Sequence, residues 1–258
     1  MEFTFFGTSD KGRHRNFNED TYLCNQKEEL FLVADGIGGQ SSGEIASKEA
    51  IKCIEEFVVR SRSEEITWPS FNMEFSVEQN RLYAAVILAN SRIRELANQN
   101  PSMKGMGTTL VGAIIEGDHL AIVNVGDSRL YRIRDGHMEQ ITQDHTLVGE
   151  QERKGLLTKE EAFNHPQKHI LTSALGIGVI ENIRIDLSLI DILEKDLYLI
   201  CSDGLNDMVD DKEILATINF FENKPLEKRP LEKIGLSLIQ QANLAGGRDN
   251  ITVILLSF

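Results

Sequence analysis

The chain has 258 residues, 40 acidic against 27 basic for a formal net charge of −13, and an apolar fraction of 41%. That apolar content supports a substantial buried core and excludes a disordered chain, while the acidic balance excludes general affinity for nucleic-acid phosphates or anionic membranes. An acidic protein that handles phosphate therefore needs cations to do so.

No run approaches the roughly 18 consecutive apolar residues of a membrane span, and the opening "MEFTFFGTSDKG" lacks a basic region followed by an apolar signal core. A cytoplasmic protein is expected. Cys24, Cys53 and Cys201 show no metal-finger spacing and cannot all pair within one chain, which points to reduced, packed thiols.

In chain order, Phe3–Phe6 and Leu30–Ala34 are short apolar runs predicted as strands. Glu44–Val59 carries Ile51, Ile54 and Val58 at helical spacing. Ser61–Ser76, polar and containing Trp68-Pro69, is predicted as a loop before a second helix, Leu82–Ala97, with Leu82, Val86, Ala89, Ile93 and Leu96 along one face. Strands follow at Thr109–Ile115, Leu120–Val125 and Leu130–Arg134. Asp144–Leu171 is weakly periodic and reads as a mobile excursion with one short helix near Thr158–Phe163. A strand at Leu197–Cys201, helices at Asp211–Phe220 and Leu231–Asn243, a stop at Gly246–Gly247 and a last strand at Ile251–Leu256 complete the chain. Strands and helices are grouped rather than alternating, which predicts an α+β fold with largely antiparallel sheets. No linker or repeat divides the chain, so one domain over residues 1–258 is expected, with the excursion at about 146–170.

Four places share one arrangement, an apolar strand meeting an aspartate with glycine close by: "LFLVADGIGG" at Asp35, "IVNVGDSRLY" at Asp127, "LYLICSDGL" at Asp203 and "GGRDNITVILL" at Asp249. A lone Asp-Gly is a turn. Together they put several carboxylates at the margins of buried strands, where like charges repel unless protons or cations compensate them. Oxygen-only ligation without a His/Cys set suits Mg²⁺ or Mn²⁺ rather than structural zinc.

The ordered series "RNFNED" (Arg15–Asp20), "DGIGG" (Asp35–Gly39), "GMGTTL" (Gly105–Leu110), "GDSRLY" (Gly126–Tyr131), "DH" (Asp144-His145), "LTSALG" (Leu171–Gly176), "SDGL" (Ser202–Leu205) and "DNITV" (Asp249–Val253) resembles the metal-dependent, type 2C protein phosphatases of the compact bacterial kind. The resemblance implies a four-layer α-β-β-α sandwich of two antiparallel sheets flanked by helix pairs. It implies two Mn²⁺ or Mg²⁺ ions sharing Asp35, with the Gly36 carbonyl as a further ligand and Asp203 and Asp249 on the second metal. By the same resemblance Glu19 and Asp20 act through coordinated waters, and Asp127 with Asp203 marks a weaker third site. Arg15 is assigned to phosphate, because a guanidinium can grip two oxygens at once. Gly107–Thr109 and Asn250 read as supports.

The implied activity is hydrolysis of phosphoserine and phosphothreonine in proteins by metal-activated water, opposing a serine/threonine kinase, by a monomer with phosphoprotein partners and no nucleic acid or membrane. Alternatives are a catalytically inactive pseudophosphatase that binds phosphoproteins, and an enzyme dedicated to one partner-switching regulator. Two positions depart from the pattern. Ile37 stands where eukaryotic relatives carry a histidine proposed to protonate the leaving group, leaving that role to water or another group; His145 is one candidate, with a structural role as its plainer reading. Ser173 stands where bacterial relatives commonly carry arginine. A cysteine phosphatase would need arginine six residues after its thiol, but Leu30, Val59 and Asp207 occupy those positions, and no GxxxxGK[ST] loop is present.

Overall fold

Strands whose two faces are both covered read as unbroken apolar runs, and each strand of this kind divides its side chains between two cores. Leu30, Leu32 and Ala34 point to one core while Phe31 and Val33 point to another. Leu197, Leu199 and Cys201 face a third core, with Tyr198 and Ile200 turned to the second.

The protein is described by a computed structural model covering residues 2–38, 42–64, 66–178, 180–222 and 230–258; Gly39 of the DGIGG motif lies outside them. Its strands are β1 (Thr4–Asp10), β2 (Asp20–Asn25), β3 (Leu30–Ile37), β4 (Gly107–Thr108), β5 (Leu110–Glu116), β6 (His119–Val125), β7 (Arg129–Arg134), β8 (His137–Gln140), β9 (Asp186–Asp191), β10 (Leu197–Cys201) and β11 (Ile251–Ser257). The helices are α1 (Ser42–Ser63), α2 (Val77–Gln99), α3 (Leu147–Arg153), α4 (Lys159–Phe163), α5 (Asp203–Asn206), α6 (Asp211–Glu222) and α7 (Leu231–Leu244).

One sheet has the order β1-β11-β10-β7-β8 and the other β2-β3-β5-β6-β9, with β4 added to β3. Their pairings are antiparallel throughout. Phe31, Val111 and Ile122 of one sheet meet Leu130, Tyr198 and Ile254 of the other in a core between them. The outer face of the β3 sheet is covered by α1 and α2 through Ile54, Val58, Leu82 and Ile93, and that of the β10 sheet by α6 and α7 through Ile214, Ile218, Ile234 and Leu238. This is the α-β-β-α sandwich in α+β form.

Four strands escape the sequence pattern: β4 is too short to show a period, and the other three are edge strands. β2, β8 and β9 all lie at sheet edges and are only half-buried, so their polar residues mask the period-two signal that burial enforces elsewhere. The helix ends are better marked. Ser76 and Gln79 form a capping box that opens α2 at Val77, ahead of the expected Leu82, while α1 runs on to Ser63 and so shortens the expected Ser61–Ser76 loop, in which Trp68 packs on Phe57 beneath the Arg81 guanidinium. The excursion holds two helices rather than one: α4 starts at a Thr158–Glu161 capping box as expected, and α3, capped by Thr146, was not foreseen because its seven residues bury only Val148. Among the described residues no helix is long and apolar enough to cross a membrane.

Phe31 has no exposed surface and meets the rings of Phe3 and Phe5 at 5.9 and 5.4 Å. Phe31→Ala is expected to destabilise the protein by about 3–5 kcal/mol through lost transfer energy and the cavity left behind. A lower denaturation midpoint at unchanged slope would register it.

Candidate active site

The strand register carries the aspartates to one end of both sheets. Asp20 opens β2 directly opposite Asp35 near the end of β3. Asp203 follows β10, Asp249 precedes its neighbour β11, and Asp127 lies where the chain passes from β6 in one sheet to β7 in the other.

Asp35 is the centre. Its backbone is clamped by three bonds: Thr109 N–H to its carbonyl at 2.9 Å, Thr108 Oγ1 to the same carbonyl at 2.8 Å, and its own N–H to Thr109 Oγ1 at 3.1 Å. Burial lifts its carboxyl well above the usual range, and the charges of Asp20, Asp203, Asp127 and Asp249 push it the same way. Asp203 is likewise raised by burial and then by Asp127, Asp207 and Asp249. Burial takes Asp127 to about 7, with Asp144 and Asp207 adding to the rise. Asp20 is pushed up to about 6 by burial, although Thr252 Oγ1 and Ser202 Oγ both donate to its Oδ2, at 2.6 and 2.7 Å.

The other candidates lie around this core. Glu19 is raised by burial, against the stabilising effect of Arg15 and of the Gly43 and Glu44 N–H groups at the start of α1. Arg15 is half-exposed, and its Nη2 lies 2.6 Å from Asp249 Oδ2. Asn250 ties the loop down: its Nδ2 donates to the carbonyls of Lys11 and Phe17 at 3.0 and 2.9 Å, while Oδ1 accepts from Glu19 N–H at 2.8 Å. Gly36 needs its missing side chain, since a Cβ there would run into the carbonyls of Gly43 and Glu19.

Does this set fit divalent cations? Oδ1 of Asp20 and Oδ1 of Asp203 are buried and accept from no donor, although buried oxygens ordinarily find one. The Asp20 and Asp203 carboxyls each lie within hydrogen-bonding reach of the Asp35 carboxyl. Only protons or cations can join such groups, and the donors are all hard oxygens. The residues fit a divalent-cation site.

Two residues absent from the sequence-based set also belong here. Asp207 stands one helical turn after Asp203, and one ligand atom from each of His169, Asp203 and Asp207 falls within 4.8 Å of the others. The i, i+4 spacing in "SDGLND" was the available signal. Lys168 Nζ and His169 Nδ1 reach Asp207 at 2.8 and 3.1 Å, so the excursion touches the acid cluster. His145 is fully buried with both ring nitrogens engaged, which removes it as a leaving-group acid. Ser173 is buried as well, its Oγ accepting from Arg184 N–H at 3.0 Å, so it does not face substrate.

Comparison with known proteins identifies the family and the fold. A family model described as Protein phosphatase 2C matches residues 9–233. The serine/threonine phosphatase stp of Listeria innocua is 37% identical over 256 residues, covering 96% of this chain and 92% of that protein. The crystal structure of the Mycobacterium tuberculosis serine/threonine phosphatase PstP/Ppp superposes with a TM-score of 0.82 at 33% identity over 99% of this chain and 98% of that one. The catalytic domain of PstP in complex with two manganese ions gives a TM-score of 0.80 at 33% identity, covering 99% and 97%.

The raised carboxyl of Asp127 has a thermodynamic consequence. Between the ordinary carboxylate range and about pH 7 the folded, metal-free chain holds a proton that the unfolded chain has released, so stability is full at acid pH and falls as pH rises through that window. Asp127→Asn removes the buried charge. In chelator at about pH 7.5 the variant is expected to be more stable than the parent by on the order of 2 kcal/mol, the gap closing by about pH 4. Thermal unfolding across that range measures it, and a gap independent of pH would contradict the account.

Proposed function

The chain belongs to the protein phosphatase 2C family and is a protein serine/threonine phosphatase, and from that premise we propose that its acid cluster hydrolyses phosphoserine and phosphothreonine with two divalent cations, opposing a serine/threonine kinase. The observation that carries the two-cation reading is the buried carboxyl cluster in which Asp20 and Asp203 both meet Asp35 while each keeps a donorless oxygen, Oδ1. The structure of PstP with two manganese ions, in a fold this similar, supports it. A cytoplasmic setting and a monomeric enzyme remain expectations of the same reading.

Asp35 would be shared by two Mn²⁺ or Mg²⁺ ions, with the Gly36 carbonyl beside it and Asp203 and Asp249 on the second ion. Glu19 and Asp20 would act through waters, and Asp127 with Asp203 would hold a third, weaker ion. When bound, such ions acidify water and neutralise phosphoryl charge. The protein's own residues do the rest. Thr108 and Thr109 fix the Asp35 main chain, leaving its carboxylate as the only adjustable part. Ser202 and Thr252 occupy Oδ2 of Asp20 and so direct Oδ1 inward.

Arg15 meets the substrate in this scheme. Its guanidinium rests on a carboxylate oxygen of Asp249 and keeps half its surface in solvent. An incoming phosphate offers two acceptor oxygens to the planar guanidinium where Asp249 now offers one, so Arg15 can turn from Asp249 to substrate while Asp249 would engage the cation. No side chain of this chain is needed as nucleophile. With Ile37 in place of histidine and His145 buried, water supplies the leaving-group proton.

Hydrolysis of p-nitrophenyl phosphate and of a phosphothreonine peptide should require Mn²⁺ or Mg²⁺ and stop with chelator. Asp203→Ala should lower kcat on the order of 10²–10³-fold or more. Persistent turnover in chelator would sink the proposal. Arg15→Ala should raise KM by about 10–100-fold, the loss of a charge-assisted pair, while Mn²⁺ binding measured by calorimetry stays intact. A loss of Mn²⁺ affinity with unchanged KM would instead make Arg15 a support for Asp249.

A further inference from the structure

One residue holds the Gly126 peptide unit from both sides. His145 donates its backbone N–H to the Gly126 carbonyl at 2.9 Å, and the Gly126 N–H donates to His145 Nδ1 at 3.2 Å. A ring nitrogen that accepts carries no proton, so the proton of the neutral ring sits on Nε2, which faces Asp186 Oδ2 at 3.1 Å. Arg184 grips Asp186 in turn, Nε to Oδ1 at 2.8 Å and Nη2 to Oδ2. Asn124 Nδ2 adds a long contact to the Gly126 carbonyl at 3.4 Å and a shorter one to the Gln143 carbonyl at 2.9 Å.

The unit so held is unusual in itself. Gly126 has φ +109°, a conformation L side chains rarely adopt, and a Cβ there would strike the side chain of Thr109, the residue that clamps Asp35. The next residue is Asp127. Arg129 meanwhile fixes Asp144, the residue before His145, with Nε to Oδ1 at 2.9 Å and Nη2 to Oδ2 at 2.7 Å.

An apolar side chain would fill the volume of a wholly buried ring without the cost of desolvating two nitrogens and part of an ion pair. The hydrogen bonds to Gly126 and Asp186 offset that cost, and they hold only in this one orientation of the ring. We propose that His145, oriented by Asp186 and Arg184, is a positioning residue that fixes the Gly126 peptide and thereby aims the Asp127 carboxylate; the inference rests on the reading of Asp127 as a cation ligand. It ties the edge strand β9 to the turn that crosses between the sheets. Hydrogen-bonded supports of this kind typically set cation affinity by 10–100-fold when removed.

The test reads Mn²⁺ binding to the full chain, independently of turnover, from the paramagnetic resonance signal of free Mn²⁺. Asp127→Asn should abolish the weakest class of bound Mn²⁺. His145→Asn keeps an acceptor near Gly126 N–H but cannot reach Asp186, and should weaken that same class about 10–100-fold while the tighter classes stay in place. Asp186→Asn, at a partly exposed residue, should shift it in the same direction by less. A folded His145→Asn chain whose titration overlays the parent, while Asp127→Asn does not, overturns the positioning role and leaves the Asp127 reading standing. An unchanged titration for Asp127→Asn overturns that reading and the inference with it. If His145→Asn fails to fold, Asp186→Asn decides by the same criterion: a lowered melting temperature with an unshifted titration marks the network as support for the fold alone.

Discussion

Carboxylates that cannot get away from one another are the constraint on which the molecule is arranged. Asp20, Asp35, Asp127 and Asp203 lose water together, burial raises the proton affinity of each, and neighbouring carboxylates add to the rise: Asp20, Asp203 and Asp127 at Asp35, and Asp127, Asp207 and Asp249 at Asp203. Left alone, such a cluster works against folding, because the charged form is disfavoured in the native state. A sandwich of two sheets can hold it because the carboxylates sit at strand ends, where the backbone beneath them is fixed by pairing in both layers. Protons or cations bound there relieve that repulsion.

The supports divide along the same lines. Within the β3 sheet, Thr108 and Thr109 hold Asp35 through its main chain. Between the sheets, Ser202, just after β10, and Thr252 of β11 reach to Asp20 on β2, so the hydroxyls that orient the Asp20 carboxyl also tie one sheet to the other. Thr252 Oγ1 is further joined to Ser9 Oγ at 2.7 Å, extending the link to β1. At the crossing turn, glycine and the buried ring of His145 hold the backbone before Asp127. Small hydroxyl residues and glycines recur because they let main chains approach closely while offering short, directional bonds.

The periphery is built differently. Arg15 and the excursion meet the cluster through ion pairs with solvent-accessible partners, Arg15 on Asp249 and Lys168 and His169 on Asp207. The half-exposed Arg15–Asp249 pair contributes little to stability and exchanges readily, whereas Lys168–Asp207 is part-buried and holds the excursion more firmly. A rigid acid centre with a loosely paired basic rim suits an enzyme whose substrate is an anion.

By itself the sequence determined the parts that depend on local pattern. The doubly covered strands are legible as apolar runs because burial on both faces leaves no room for polar residues, and the long helices are legible from their spacing and caps. The strand-end aspartates stand out because each combines a carboxylate, a buried strand and a glycine within a few residues. Edge strands β2, β8 and β9 were not legible, since a half-exposed strand needs no strict alternation, and neither was α3, whose support is tertiary. What only the tertiary structure decided is which groups meet. Asp20 finds Ser202 and Thr252 more than 180 residues away, Asp207 joins Asp203 beneath the excursion, and His145 turns from a candidate acid into a buried support because Gly126 and Asp186 claim its two nitrogens. Hydrogen bonds and Coulomb forces act over a few ångströms in space without regard to separation along the chain, so their partners are fixed only when the sheets have closed on each other.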